Sequence, residues 1–239
     1  MVTTYMKIDI LTIFPAMFQG ALTESLIGKA SKKKILDINV VDIRAFSKDR
    51  HKKVDDKPFG GGVGMVMMLQ PLYNAIIKSV GVKKKNSSYK NPYVKPCVIY
   101  MSPQGKTLNN EILKNLSQFK HLVLICGHYE GIDERIMDYI DEEISIGDYV
   151  LTGGEIPAMV LIDSMARMLP GVVKKEFSVT NDSFYNGLLD YPHYTRPAVF
   201  KDHKVPDILL SGDHKKIESW RQKQSYKRTK ERRPDLLKK

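Results

Sequence analysis

The chain's 239 residues allow one large domain or two smaller ones, and its 42% hydrophobic content is enough for a buried core. Only Cys97 and Cys126 are present, in no CxxC or Cys/His cluster, which excludes a disulfide framework and a structural zinc site and fits a reducing compartment. The net charge of +11 is uneven: residues 201–239 hold 13 Lys/Arg against 6 Asp/Glu, residues 29–53 hold 9 against 3, and residues 127–182 hold 4 against 12. Positive flanks suit a polyanion, and a negative middle suits a cationic small molecule. No apolar run reaches the roughly 18 residues of a membrane span, and the N-terminus lacks the apolar region and cleavage site of a secretory signal. A cytoplasmic protein is the expectation.

Residues 7–14 alternate and are rich in isoleucine, as strands are. Pro15 suits the first position of a helix running to about Ala30. Residues 35–43 read as a second strand, and this strand–helix–strand start predicts an α/β fold with a mostly parallel sheet. Residues 44–70 follow no period. Their string RAFSKDRHKKVDDKPFGGGVGM mixes cations with three successive glycines, but no Gly-Lys-Ser/Thr follows, so it is not a phosphate-binding P-loop. A stretch of this length without periodicity points to function. Met65, Met67 and Met68 read as packing residues. Pro71 opens a helix to about Val80, and residues 83–95 read as a solvated insertion. A strand over 97–101 ends in the turn Ser102-Pro103-Gln104-Gly105, and a helix over 109–117 leads to a strand over 121–126.

That strand runs into Gly127-His128-Tyr129-Glu130-Gly131, a short acidic helix and a strand over 142–146. The passage GDYVLTGG follows, with three glycines within eight residues, which implies close backbone approach to something. The next helix, residues 155–169, begins with Glu155, suited to the helix dipole, and with Pro157, tolerated in a first turn. It is apolar on nearly all sides except Asp163, Ser164 and Arg167, which predicts deep burial and a subunit interface; Asp163 and Arg167 also have the spacing of a local ion pair. Ligands of open α/β sheets bind beyond the carboxyl ends of strands. Three such ends carry turn-rich strings, after Met101, Cys126 and Ile146, so one pocket is expected where they converge. Residues 172–187 read as a linker, and 188–239 as a small basic helical domain anchored by Trp220.

The strings GHYEGIDER, SIGDYVLTGGE and LIDSMARMLPG, with IDILTIFPAMF, DRHKKVDDKPFGGGVGMVMM, YMSPQGKTL, NDSFYNGLLDYPHYTRPAVF, VPDILLSGDH and RRPDLL, resemble the bacterial tRNA guanine-N1 methyltransferases of the TrmD type, in the SPOUT class. The resemblance spans nearly the whole chain, and an end soon after RRPDLL fits a complete member. It implies a methyltransferase domain over 1–171 with a deep C-terminal trefoil knot, a linker over 172–187, and an all-helical tRNA-binding domain over 188–239. It further implies a homodimer acting on tRNA, without DNA or membrane, at the guanosine immediately 3′ of the anticodon, position 37.

By the same resemblance, S-adenosylmethionine is held, largely by backbone groups, at Met101, Ser102, Pro103, Gly127, Tyr129, Glu130, Ile146, Gly147, Asp148, Tyr149, Val150, Leu151, Gly153, Gly154 and Pro157. Asp182, in the string Asn181-Asp182-Ser183-Phe184, is the implied general base. Arg167 stabilises the guanine O6, and Glu130 is the reserve candidate for the base. Anticodon-stem contacts fall to Arg50, His51, Lys52 and Asp55 in the loop and to Lys223, Ser225, Arg228, Arg232 and Arg233 in the tail. Mg2+ is expected, with ligands that the acidic residues do not identify; His128 receives no catalytic role. Competing readings are a knotted ribose 2′-O-methyltransferase and a non-catalytic RNA-binding factor. A nicotinamide-dependent oxidoreductase is disfavoured because no GxGxxG follows a strand.

Overall fold

The computed structural model describes residues 6–81, 91–173 and 182–238. The chain divides into two compact units, one up to residue 174 and one from residue 175. In the first unit, β1 (Met6–Thr12), β2 (Leu36–Asp42), β5 (Cys97–Thr107), β6 (His121–Cys126) and β7 (Glu142–Ser145) form a sheet in the order β2-β1-β6-β5-β7, parallel throughout. Helices α1 (Ser25–Lys32), α2 (Leu69–Val80), α3 (Asn110–Leu116) and α4 (Glu155–Ala166) cover it. On one face Ile8, Ile10, Leu122, Leu124 and Cys126 join Ile27, Leu113, Leu161 and Met165. On the other, Leu11, Val98, Val123 and Ile125 join Leu72, Ala75, Ile76 and Ile136. Central β6 is buried on both faces, so its sequence HLVLIC is a continuous apolar run without alternation. Asn109 caps α3, accepting from the amides of Glu111 and Ile112 at 3.0 Å each.

In the first unit three expectations change. The helix expected from Pro15 to Ala30 is two pieces: a 3-10 turn over Pro15–Phe18, then α1. Gly20 between them sits at φ 85° and Ser25, the first residue of α1, at φ 54°, which no continuous helix allows. The turn expected at residues 102–105 lies inside β5. Met101 and Lys106 both pair with Ile144, so the four intervening residues leave the ladder as a bulge and the strand then resumes. The helix expected over 155–169 ends at Ala166, and it is not buried all round: Ile156, Val160, Asp163 and Arg167 form an exposed stripe along it.

The aperiodic stretch 44–70 is organised around two short strands, β3 (Asp55–Asp56) and β4 (Val66–Met67), which pair antiparallel. Of the expected insertion at 83–95, residues 83–90 lie outside the described residues, and Pro92–Val94 is a 3-10 helix.

The second unit contains a two-stranded hairpin, β8 (Val199–Phe200) with β9 (His203–Lys204), so the expected all-helical composition does not hold. Its helices are α5 (Asp207–Leu210) and α6 (His214–Arg232). Trp220 is only half-buried, 6.5 Å from the ring of Tyr194; the buried residues of α6 are Ile217 and Thr229. Of the expected linker, residues 174–181 lie outside the described residues. Residues 182–187 belong to the second unit. Asp190 donates its amide to Ser183 Oγ at 2.9 Å, Leu189 donates to Thr229 Oγ1 at 2.9 Å, and the guanidinium of Arg233 lies over the Phe184 ring at 5.6 Å. No helix among the described residues is long and apolar enough to cross a membrane.

Candidate active site

A cleft of about 390 Å³ opens at the bulge of β5 and beyond the carboxyl ends of β6 and β7. That volume is in the range of small-molecule sites. Fourteen of the fifteen residues expected to hold the methyl donor line it; Asp148 is exposed and does not.

The cleft is built from close backbone contacts. The Gly154 amide donates to the Gly127 carbonyl at 2.8 Å, and His128 bridges to Gly153. A Cβ on Gly127 would stand 2.7 Å from the Tyr100 ring, and one on Gly154 2.7 Å from the Cys126 Cα. A Cβ on Gly153 would collide with His128 Nδ1 and Glu155 Oε2, and one on Gly105 with the Glu143 backbone. These glycines are therefore required by contact and not by flexibility. Tyr129, at φ 60°, turns the chain where a left-handed residue is needed. Ser145 receives the Gly147 amide at 3.2 Å and donates to the Gly147 carbonyl at 3.0 Å, which fixes the start of the third loop.

The stretch 44–70 braces the loop after β6 from behind, a contact that its sequence did not disclose. The Glu130 amide donates to Met65 O at 3.0 Å, the Met67 amide to Gly131 O at 2.9 Å and the Asp133 amide to Met67 O at 3.1 Å. Gly64, at φ 91°, lies against the Glu130 side chain. Tyr100, Gln104, Glu134 and Glu143 also line the cleft and were not expected. Tyr100 directly precedes Met101 at the end of a predicted strand, a position that could have flagged it. Burial pushes the Tyr100 hydroxyl up to about 12, helped by the charges of Glu143 and Glu134, so it is a neutral donor at physiological pH. Burial, then the charge of Glu155, pushes the Cys126 thiol up, which removes it as a nucleophile.

Behind the glycine passage, Thr12 Oγ1 donates to Glu155 Oε1 at 2.8 Å, and Glu155 is only 1% exposed. Its other oxygen is 3.8 Å from His128 Nδ1, a buried atom with no hydrogen-bond partner among the described residues.

Arg167 is exposed at the C-cap of α4. Asp182 is half-buried at the start of a turn in which the Tyr185 amide donates to its carbonyl at 3.2 Å. The two stand in different compact units. Glu130 is exposed at the cleft's edge.

Arg50, His51 and Lys52 form an exposed tip, held by an Asp49 carboxylate that accepts the His51 amide at 2.8 Å. Asp55 is half-buried in β3. On α6, Lys223 and Arg232 are exposed, Arg228 reaches toward the Asp190 carbonyl at 3.5 Å, and the Ser225 carbonyl accepts from Thr229 Oγ1 at 2.7 Å. Arg233 makes a forked pair with Asp235 at 3.0 and 2.7 Å, so its guanidinium is already engaged within its own unit.

A family model described as tRNA (Guanine-1)-methyltransferase TrmD matches residues 6–239. The chain belongs to this family. It is 77% identical over 234 residues to a tRNA (guanine-N(1)-)-methyltransferase of Endomicrobium trichonymphae, covering 98% of this chain and all of that protein. Proteins of the same name from Ruminiclostridium cellulolyticum and Brevibacillus brevis are 57% and 54% identical, over 98% of this chain in each case and over 97% and 92% of their own lengths. The three loops that line the cleft contain the family resemblance's GHYEGIDER and SIGDYVLTGGE strings. The cleft fits the methyl donor of such an enzyme, because it is a cradle of backbone groups that added Cβ atoms would fill. Magnesium is different: among the described residues no group of three or more His, Cys, Asp or Glu is placed to hold a metal ion.

Proposed function

We propose that this protein methylates N1 of the guanosine at tRNA position 37, 3′ of the anticodon, in the cytoplasm, and that it works as a homodimer whose cofactor loops form a trefoil knot. The observation that carries the reading is the coincidence of the glycine-built cleft with the loops of the tRNA (guanine-1)-methyltransferase family.

S-adenosylmethionine, when bound, supplies an electrophilic methyl group. The bulge at Met101, Ser102 and Pro103 would face it from β5, Gly127, Tyr129 and Glu130 from β6, and Ile146 to Leu151 with Gly153, Gly154 and Pro157 from β7 and α4. Asp182 would take the proton from guanine N1 as the N1–methyl bond forms and the donor's sulfur–methyl bond breaks, with S-adenosylhomocysteine as the leaving group. Arg167 balances the negative charge that develops on O6 as that proton leaves.

The dimer is supported by an apolar surface. Ile156 and Val160 on α4 are exposed, as are Phe14, Met17 and Leu26 near α1. Arg167 continues the same helical stripe, so a second copy seated there brings its own groups toward this arginine. The exposed Arg50-His51-Lys52 tip and the basic face of α6 suit the phosphates of the anticodon stem.

The test is methyl transfer to tRNA transcripts with guanosine or adenosine at position 37, followed by nuclease mapping and mass spectrometry. The reading requires N1-methylguanosine at that nucleotide alone. A 2′-O-methyl product would replace it with the ribose methyltransferase reading.

A further inference from the structure

The corner where α1 ends carries Lys29, Lys32, Lys33 and Lys34, all exposed. Lys29 and Lys32 share one face of the helix, opposite the buried Ile27 and Ala30. The end of the helix is fixed: the Lys33 amide returns to Lys29 O at 3.1 Å, Lys34 to Ser31 O at 2.9 Å and Ile35 to Ala30 O at 3.0 Å. Lys34 follows the cap at φ 59°, the position at which helices usually place glycine.

Three features of this corner work against the fold taken alone. Four like charges within six residues repel one another. A lysine holds a left-handed backbone where glycine is less strained. Among the described residues, no carboxylate pairs with any of the four. The helix dipole favours cations in a last turn, but that accounts for one or two of them and not for the one beyond the cap. A polyanion offsets the repulsion and supplies the missing counter-charge; the strain at Lys34 remains, so a cation is kept there in spite of its conformational cost.

The corner is also well placed. The Lys33 ammonium lies 3.4 Å from the Gly171 carbonyl, four residues beyond Arg167 at the end of α4, and α1 packs on α4. We infer that Lys29, Lys32, Lys33 and Lys34 form a phosphodiester-binding ridge on the methyltransferase unit. The ridge grips the tRNA backbone beside the nucleotide presented to Arg167 and is separate from the 50–55 loop and α6. This rests on the tRNA reading above. The contacts carry no base information: they orient the substrate and add to the salt dependence of binding.

The experiment measures tRNA affinity against salt for the parent protein and for a triple variant, Lys29→Gln, Lys32→Gln and Lys33→Gln, with S-adenosylmethionine binding followed in parallel. Each lost phosphate contact lowers the slope of log affinity against log salt by roughly 0.7–0.9, so a drop of about 2–3 is expected. Affinity falls at least about tenfold at low salt and converges on the parent's at high salt, with unchanged cofactor binding. Lys34→Gly separates charge from strain: it should hold or raise the melting temperature while weakening tRNA binding. A parental salt slope in the triple variant, or affinity lost equally at all salt concentrations together with thermal stability, overturns the ridge. If the parent protein itself fails to bind tRNA, the substrate reading fails instead.

Discussion

The amide of Gly154 donates to the carbonyl of Gly127 at 2.8 Å, so the loop after β6 and the first turn of α4 meet backbone to backbone. A methyl group on Gly154 would stand 2.7 Å from the Cys126 Cα and 2.9 Å from the Gly127 nitrogen, atoms that cannot step aside. Gly154→Ala is expected to lower stability by about 1–3 kcal/mol, the range for overpacking. It should also weaken S-adenosylmethionine binding by at least about tenfold, which is ~1.4 kcal/mol. Calorimetric titration and thermal melting check both; parental affinity would show that the cofactor does not use this passage.

Asp182→Asn removes the proton acceptor while keeping the shape of the side chain. Turnover should fall by about 10²–10⁴-fold or more, with tRNA and cofactor affinities kept. Arg167→Ala should also lose turnover. Because the proposed dimer shares its sites, mixing the two inactive proteins should restore activity in heterodimers. Single-turnover rates near the parent's for Asp182→Asn would move the base elsewhere, with Glu130 next.

Asp9, buried in β1, accepts from His121 Nε2 and Lys7 Nζ at 2.8 Å each and from Asn39 Nδ2 at 3.0 Å. Burial alone would raise its pKa, but the bonds from His121, Lys7 and Asn39 outweigh it and hold the carboxyl below its usual value. A depressed carboxylate contributes stability that is present above its unfolded pKa, near 3.8. That stability is lost as pH falls through the lower folded value. Urea midpoints measured from pH 7 downward should therefore decline in acid. Asp9→Asn should sit about 1–3 kcal/mol lower at neutral pH and close on the parent below about pH 4. Parallel curves would exclude Asp9 as the source.

A chain stopped at residue 174, the boundary between the compact units, should still bind S-adenosylmethionine but lose most tRNA affinity and all turnover. Filter binding across a salt series tests this, with circular dichroism to verify that the sheet persists. Full tRNA affinity in the shortened chain would assign RNA binding to the first unit alone.

What the sequence disclosed followed how local its cause was. Strand β6 was legible to the residue, because burial on both faces leaves an uninterrupted apolar run. The break at Gly20 was not, because Pro15 and the following apolar residues fit either one helix or two pieces. The continuation of β5 past Gly105 depends on pairing with β7, some forty residues away, and nothing in SPQGK announces it. Fourteen cleft residues were reached through the family strings, whereas the bracing segment from Gly64 to Met67 was missed because only tertiary contact joins it to the Glu130 loop. Trp220 misled because a lone tryptophan suggests a core, yet in so small a unit Ile217 and Thr229 occupy that position.

The bulge in β5 has an evolutionary consequence. Met101 and Lys106 share Ile144 as their partner and Thr107 pairs with Ser145, so the ladder is in step again once Ser102 to Lys106 are set aside. Excising those five residues would in principle join two compatible halves of one strand. It would erase the lip of the cleft without asking the remaining strands to change neighbours. A binding lip of this kind is a detour that a lineage can lengthen, reshape or delete while the scaffold stays intact, so ligand preference here can drift faster than architecture.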